Sequence, residues 1–460
     1  MNKKVSLSVA FIGFLVSTTI AQTDSAMIKK IFNEALTNGK SYSNLDYMCN
    51  KIGPRLSGSV QAQQAVEWAF KAMKEAGADT VFLQECMVPH WVRGAKEIAK
   101  VITTNAKNSK EIPVCALGGS IATPPQGITA NVIEVKSIEE LKSLGKEKIQ
   151  GKIVFFNGPM DPTLIETGGA YGKAVRQRGL GAIEAARYGA IASVVRSVTL
   201  VQNDYPHTGA MRYNDSITKI PHAAISTNAA NWLSEYLKTD KDLKIFLKMS
   251  CQTLPDEKSY NVVGEIRGSA KTNEYVVVGG HLDSWDLATG ANDDGTGVVQ
   301  SIEVLRLFKA LGIKPKYNLR AVAFMNEENG VRGGKKYAEL AKLNKEKHIA
   351  ALESDGGGAS PRGFGSDGIP SQLEKIKSWQ ALFLPYGLYN FRKGGGGTDI
   401  EPLQEDDKNI PMIGLITDSQ RYFDYHHCAI DVFENVNKRE LELGGASMAA
   451  LIWLIDKYGL

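Results

Sequence analysis

The sequence is poor in the residues that most often announce a function. Its 460 residues include only five cysteines and seven histidines. Cys49, Cys86, Cys115, Cys251 and Cys428 are odd in number and far apart, and no Cys-x-x-Cys occurs. That spacing excludes a zinc ribbon and a thioredoxin-type redox site. Cysteines so scattered are expected to act as small buried apolar residues. There is no His-Glu-x-x-His and no Gly-x-Ser-x-Gly. The helix-borne zinc motif and the serine nucleophile elbow are therefore absent. Neither sign of charge dominates: 54 Lys+Arg stand against 50 Asp+Glu, a formal charge of +4. So small an excess argues against nucleic acid as a partner. No apolar run reaches the length of an integral membrane span.

Two phosphate-loop patterns also fail on context. Gly363 to Gly368 has the Gly-x-G-x-x-G spacing, but Pro361 precedes it and Pro370 follows. It is expected to be a loop, because the motif needs a strand before it and a helix after it. Gly39-Lys40-Ser41 ends like a P-loop, yet Glu34 stands where the first glycine should be.

What remains is ordinary globular composition, 43% hydrophobic and 23% charged. The length fits two or three domains. The N-terminus reads as a secretory signal over residues 1–21. Lys3 and Lys4 precede an apolar stretch, Val5 to Val16, and Thr19-Ile20-Ala21 places small residues at the cleavage positions. Its removal would take two lysines and no acids, lowering the formal charge to +2. A secreted or periplasmic location is expected.

Helical periodicity is expected over Asp24 to Asn38 and Val60 to Ala76, and strands over Val81 to Val88 and Ala99 to Thr103. Near residue 115 the character changes: Gly118-Gly119-Ser120 and Thr123-Pro124-Pro125 form a breaker-rich segment. We read 22–114 as one block and 115–255 as an inserted one. Residues 256–460 complete the first. The last block alternates strands and helices. Tyr275 to Gly279, Leu319 to Phe324, Ile349 to Leu352 and Pro411 to Ile416 lack polar alternation, as in strands buried on both faces. The expected fold is α/β, a mostly parallel mixed sheet flanked by helices.

Histidines and carboxylates collect at the ends of these strands, where open α/β sheets bind ligands. His281-Leu282-Asp283 follows the first. Residues two apart on an extended chain share a side, so Asp283 can accept the second ring N–H of His281. Asp293 and Asp294 sit in a glycine-rich loop that feeds a helix, where an acid also serves as a cap. Glu327 and Glu328 end the second strand; adjacent carboxylates repel in a dry site unless a cation compensates. Asp355 ends the third, and His426-His427 follows the last. Singly, each is an ordinary turn residue. Together they form an imidazole and carboxylate set suited to zinc without thiolate.

These residues resemble the family of co-catalytic two-zinc exopeptidases that includes bacterial leucyl aminopeptidases. Strings along nearly the whole chain resemble its carboxypeptidase branch: Gly53-Pro54-Arg55-Leu56-Ser57-Gly58-Ser59, Pro89-His90-Trp91, Pro206-His207-Thr208-Gly209 and His281-Leu282-Asp283-Ser284-Trp285-Asp286. Block 115–255 resembles the protease-associated domain inserted in such enzymes. The resemblance implies two Zn2+ per chain. His281 and Asp355 would bind one ion, Glu328 and His427 the other, and Asp293 both. It also implies Glu327 as general base, Asp283 as a catalytic partner of His281, a small peptide as substrate, and a homodimer. Dipeptides are the expected substrates. An aminopeptidase on longer peptides, or a binding protein of the same fold without activity, are the alternatives. One departure stands at Cys428, where the family usually has Ser or Thr, so oxidation sensitivity of the site is expected.

Overall fold

The computed structural model describes residues 23–460, so the expected signal segment lies outside the described residues. Residues 23–38 are helical, as their periodicity predicts. The helix Val60–Glu75 follows, started by Ser59, whose side chain accepts the Ala62 N–H. The chain then runs through β1 (Thr80–Val92), β2 (Ile98–Ile102), β3 (Lys110–Ile112), β4 (Val114–Ala116) and β5 (Ile128–Val135). Next come β6 (Ile153–Phe156), β7 (Ala192–Arg196), β8 (His222–Ile225), β9 (Lys244–Lys248) and β10 (Gln252–Ile266). The last strands are β11 (Glu274–His281), β12 (Asn318–Phe324), β13 (Lys347–Glu353), β14 (Pro361–Ser366), β15 (Asn390–Lys393) and β16 (Met412–Thr417).

They form two eight-stranded sheets. The first has the order β1-β10-β12-β11-β13-β16-β14-β15. Its centre, β12-β11-β13-β16, is parallel, and antiparallel pairs lie outside it. The sheet is therefore mixed, with four parallel pairs and three antiparallel ones. Successive residues of β11 bury opposite faces, as the pleat requires. Val276 and Val278 pack with the helices Thr296–Ala310 and Lys438–Tyr458, while Val277 packs with Tyr337 of Arg332–Leu343. Each fully buried side chain of this size contributes about 1.5–3 kcal/mol. The stretch 363–368, expected to be a loop, lies mostly in β14. Tertiary pairing with β15 and β16 overrides its glycine content.

The second sheet has the order β3-β2-β9-β5-β6-β7-β8-β4. Its strand β2 was assigned from sequence to the block before residue 115, yet it pairs with β9. The glycine- and proline-rich segment after Leu117 is a turn within this unit and not its border. The chain leaves the first sheet at the end of β1 and returns at the start of β10, where Val92 pairs with Gln252. Arg93 then ties the two units. Its guanidinium donates twice to Asp286, at 2.8 and 2.6 Å, and also to Glu97 and to the Ala116 carbonyl.

Candidate metal centre

Because β12, β11, β13 and β16 run parallel, their C-terminal ends share one edge. Every expected site residue is at that edge. His281 closes β11. Asn326-Glu327-Glu328 follows β12, Asp355 follows β13, and His426-His427 lie in the loop beyond β16. Asp293 enters from the loop between β11 and the helix Thr296–Ala310.

Asp293 is the hub. One carboxylate oxygen, Oδ1, lies 3.1 Å from His281 Nε2, which is itself 3.6 Å from Asp355 Oδ1. The other, Oδ2, lies 3.1 Å from His427 Nε2, and His427 Nε2 is 3.1 Å from Glu328 Oε2. Two clusters thus share one carboxylate. Asp293 Oδ2 and Asp355 Oδ1 are buried without a hydrogen-bond partner, and such atoms are costly to leave unmatched.

The electrostatics agree with a cation-binding role. Burial, opposed by His281 but aided by Asp355, Glu328 and Asp293, pushes Glu327 up to about 8. Burial and Asp293 push Glu328 up to about 7. Burial and Asp355 push Glu353, beneath the site, up to about 8. Burial disfavours charge on Asp293 too, but the two imidazoles outweigh it and hold the carboxyl well below its usual range. Burial likewise opposes charge on the histidines. Asp293 and Asp355 nevertheless hold His281 well above its ordinary value, and Glu328 and Asp293 do the same for His427. The site therefore calls for positive charge at its centre. The donors, imidazole and carboxylate, are those zinc accepts.

Supporting groups fix this edge. Asp431 accepts the backbone N–H groups of Asn292 and Asp293 at 2.7 and 3.1 Å. Asp294 accepts the N–H groups of His281 and Gly297 at 3.0 and 2.9 Å. Arg55, fully buried, donates to the carbonyls of Leu282, Thr289 and Gly290, which explains the Gly53 to Ser59 string. His427 sits in the left-handed region, φ 63°, a position that costs an ordinary residue about 1–3 kcal/mol. The second unit holds it there: Thr208 N–H donates to the His427 carbonyl at 2.9 Å, and His427 Nδ1 faces the Thr208 carbonyl at 3.3 Å.

Two sequence expectations need revision. The Asp283 carboxylate does not take the His281 ring N–H. His281 Nδ1 faces the Asp283 carbonyl at 2.9 Å, while the carboxylate is 3.8 Å away. That carboxylate instead accepts the N–H groups of Asn326 and Glu327 at 2.7 and 3.0 Å, and so shapes the turn that carries Glu327. Cys428 is buried, and burial pushes its thiol up to about 12, so thiolate oxidation is suppressed there. All five cysteines are buried and free.

Other groups at the edge received no role from the sequence. The His426 ring stacks on His427 at 3.5 Å, and its Nε2 lies 3.6 Å from Asp293 Oδ2. Glu353 and Asp399 lie buried beneath the edge; Glu353 accepts the Asp399 N–H at 3.0 Å. Arg178, from the helix Arg176–Arg187 of the second unit, reaches His427. Doubling of His426-His427 was visible as a signal. Arg178 gave none, because it is distant in sequence from the strand ends and lies in the first turn of a helix.

A cleft of about 630 Å³ opens on the centre, between the two units. Glu327, Glu328, Asp293 and His427 of the first unit line it, together with Tyr171, Arg178 and Met211 of the second. A second cavity of about 660 Å³ adjoins it, sharing Asp355, Thr398, Tyr422 and Phe423. Either volume suits a ligand the size of a small peptide.

Comparison with known proteins agrees with this arrangement. Residues 261–452, which carry the whole edge, match Peptidase family M28. Carboxypeptidase Q of Bos taurus is 36% identical over 91% of this chain and 84% of its own length. The Homo sapiens protein is 36% identical over 94% of this chain and 88% of its own. The crystal structure of a Peptidase M28 precursor from Shewanella amazonensis superposes with a TM-score of 0.89. It is 31% identical and covers 95% of this chain and 97% of its own. A zinc aminopeptidase from Bacillus subtilis shares the fold at a TM-score of 0.64 and 20% identity, over 90% of this chain and 94% of its own. Among the described residues no helix is long and apolar enough to cross a membrane. The chain belongs to peptidase family M28, as a carboxypeptidase Q-like zinc metallo-exopeptidase.

Proposed function

We propose that the chain is an exported exopeptidase that hydrolyses dipeptides or short peptides with two zinc ions at the shared Asp293 centre. The observation that carries this reading is the split Asp293 carboxylate: His281, itself beside Asp355, meets one oxygen, and His427, itself beside Glu328, meets the other. Those five side chains would hold the two ions. Zinc supplies Lewis-acid polarisation of the scissile carbonyl and a more acidic water.

The chain's own residues do the rest. Glu327 lines the cleft beside the centre and is the general base. It takes a proton from the water that attacks the carbonyl carbon. As the C–N bond breaks, it delivers that proton to the leaving amine. Asp283 fixes the Glu327 backbone and so aims the base. The second unit, read as an inserted protease-associated domain, closes the opposite wall of the cleft and keeps bulk water from the reacting atoms. The chain is also expected to form a homodimer, with a small peptide as its partner in catalysis.

The adjoining 660 Å³ cavity favours one second reading, an aminopeptidase on longer peptides, because it leaves room beyond a dipeptide. One experiment separates the two. Rates are compared on a free dipeptide, its N-blocked form and its C-terminal amide. A dipeptidase cleaves only the first well. Equal rates on the free dipeptide and the amide would establish the aminopeptidase instead.

A further inference from the structure

Val132, Phe155 and Val194, on β5, β6 and β7, form an apolar row packed with the helix Thr227–Thr239. Two residues further on, the pleat brings Glu134, Asn157 and Arg196 to the same face. This polar row stands at the C-terminal ends of parallel strands, the edge at which open α/β sheets bind ligands. A cavity of about 450 Å³ opens there, lined by Lys136, Asn157, Arg196, Asn231, Ser234 and Glu235 among others. It shares no lining residue with the two cavities at the zinc centre.

The acids around this cavity already have partners. Glu134 Oε1 accepts from Lys136, from Asn157 Nδ2 at 2.7 Å and from Ser234 Oγ at 2.8 Å. Glu235 pairs with Lys238 at 2.6 Å. Arg196 has no such partner, although it is only 7% exposed. Burial alone acts on its charge, lowering its pKa, and among the described residues no carboxylate lies within ion-pair distance. Asn157 stands between Arg196 and Glu134 and bonds to both. Only amide oxygens meet the guanidinium. Nη1 donates to Asn231 Oδ1 at 2.6 Å and, weakly, to Asn157 Oδ1 at 3.4 Å, and Nη2 donates to Gln202 Oε1 at 3.3 Å. Nε is buried without a hydrogen-bond partner.

Nε and Nη2 form the side edge of a guanidinium, which can grip a carboxylate or phosphate through two parallel bonds. Here that edge carries one long bond. Other buried arginines of the chain are neutralised: Arg93 meets Asp286 and Glu97, and Arg320 meets Glu265 and Glu346. A desolvated guanidinium without counter-charge is unfavourable unless a ligand supplies one. We propose that this cavity is a second ligand site, which takes a small organic anion through a carboxylate or phosphate group held by Arg196. Asn157, Asn231 and Ser234 present polar groups to the rest of the ligand. The site uses no zinc and is independent of the peptidase reading.

The test is calorimetric titration of the zinc-loaded full chain with succinate and, separately, with glycerol 3-phosphate, which tells a carboxylate ligand from a phosphate one. Two variants are compared with the wild type. Asn231→Asp keeps the shape of the side chain and sets a carboxylate against Nη1, neutralising Arg196 in place. Arg196→Lys keeps the charge and removes the fork. Zinc content and dipeptide hydrolysis are measured on each and should stay within about twofold of wild type, since neither residue lines the zinc cleft. The expected result is saturable one-to-one binding of at least one anion, weakened about 10-fold or more by Asn231→Asp and less by Arg196→Lys. The melting temperature of ligand-free Asn231→Asp should equal or exceed that of the wild type. Absence of saturable binding of either anion up to about 20 mM would overturn the proposal. Binding that both variants leave unchanged would lie elsewhere and would overturn it as well. So would a lower melting temperature in Asn231→Asp, because the Arg196 charge would then need no partner.

Discussion

The two sheets are built alike but end differently. Each places four parallel strands with their C-terminal ends on one edge: β12-β11-β13-β16 in the first, β5-β6-β7-β8 in the second. The first edge gathers carboxylates and imidazoles whose buried oxygens lack partners. The second gathers amides and hydroxyls around charges such as Lys136, already matched by Glu134. There Arg196 is met by amide oxygens, Asn231 at 2.6 Å and Gln202 at 3.3 Å, beside a cavity of about 450 Å³. Ser197 donates to the Ile225 carbonyl at 2.8 Å, and Ser226 caps the helix Thr227–Thr239. A parallel edge offers a place for chemistry but does not create it. Surplus charge does, and the first edge carries it as buried carboxylates whose oxygens lack partners.

Removing the cation should break that contrast most severely. Dialysis against a chelator is expected to abolish peptidase activity while circular dichroism stays native, and zinc should restore the rate. Activity that persists after metal analysis reads zero would refute a zinc-dependent edge. Next in size is Glu327→Gln. It should retain zinc and fold, and lose about 10²- to 10⁴-fold in kcat. Unchanged turnover would remove Glu327 from the role of base.

A smaller effect is expected from the supporting residues. Asp431→Ala leaves the N–H groups of Asn292 and Asp293 without their acceptor. Zinc affinity should fall by about 10- to 100-fold, as for other groups that orient ligands. Stability should fall by about 1–3 kcal/mol. A variant with native metal affinity would show that the Asp293 loop holds itself.

A milder perturbation, a change of pH alone, separates neutral burial from charged burial. Burial lowers His222, in the second sheet, to about 4, and burial with Arg320 lowers His348 to about 3, from an ordinary 6.5. Between those values the unfolded chain binds protons that the folded one refuses. Stability is therefore full above pH 6.5 and falls as the pH drops towards 4. The loss should reach about 2 kcal/mol per histidine by roughly pH 5. Urea midpoints from pH 7 to 5 should show this fall, and His348→Gln should flatten part of it. A midpoint that rises on acidification would contradict the neutral assignment.

Much of the first edge was legible because its chemistry is local. His281, Asp293, Glu327, Glu328, Asp355 and His427 each follow a recognisable strand, and strands in alternation with helices have their C-terminal ends on one side. Asp283 was found, but its hydrogen bonds were not. A period of two says which side a residue faces, and not whether its carbonyl or its carboxylate meets the ring. The border at residue 115 misled because a breaker-rich turn inside a unit looks like a linker. The true crossing, Val92 beside Gln252, is a pairing between distant strands. The stretch 363–368 misled for the same reason: glycines that read as loop are held in a sheet by neighbours far along the chain.

The sequence by itself determined the α/β alternation, the zinc-type donor set and the absence of thiolate chemistry, because these depend on residue identity and short spacing. Only the tertiary structure decided that Thr208 holds His427 and that Arg178 lies beside His427 without a carboxylate partner. Those facts join residues of two units, and sequence periodicity carries no information about such distances.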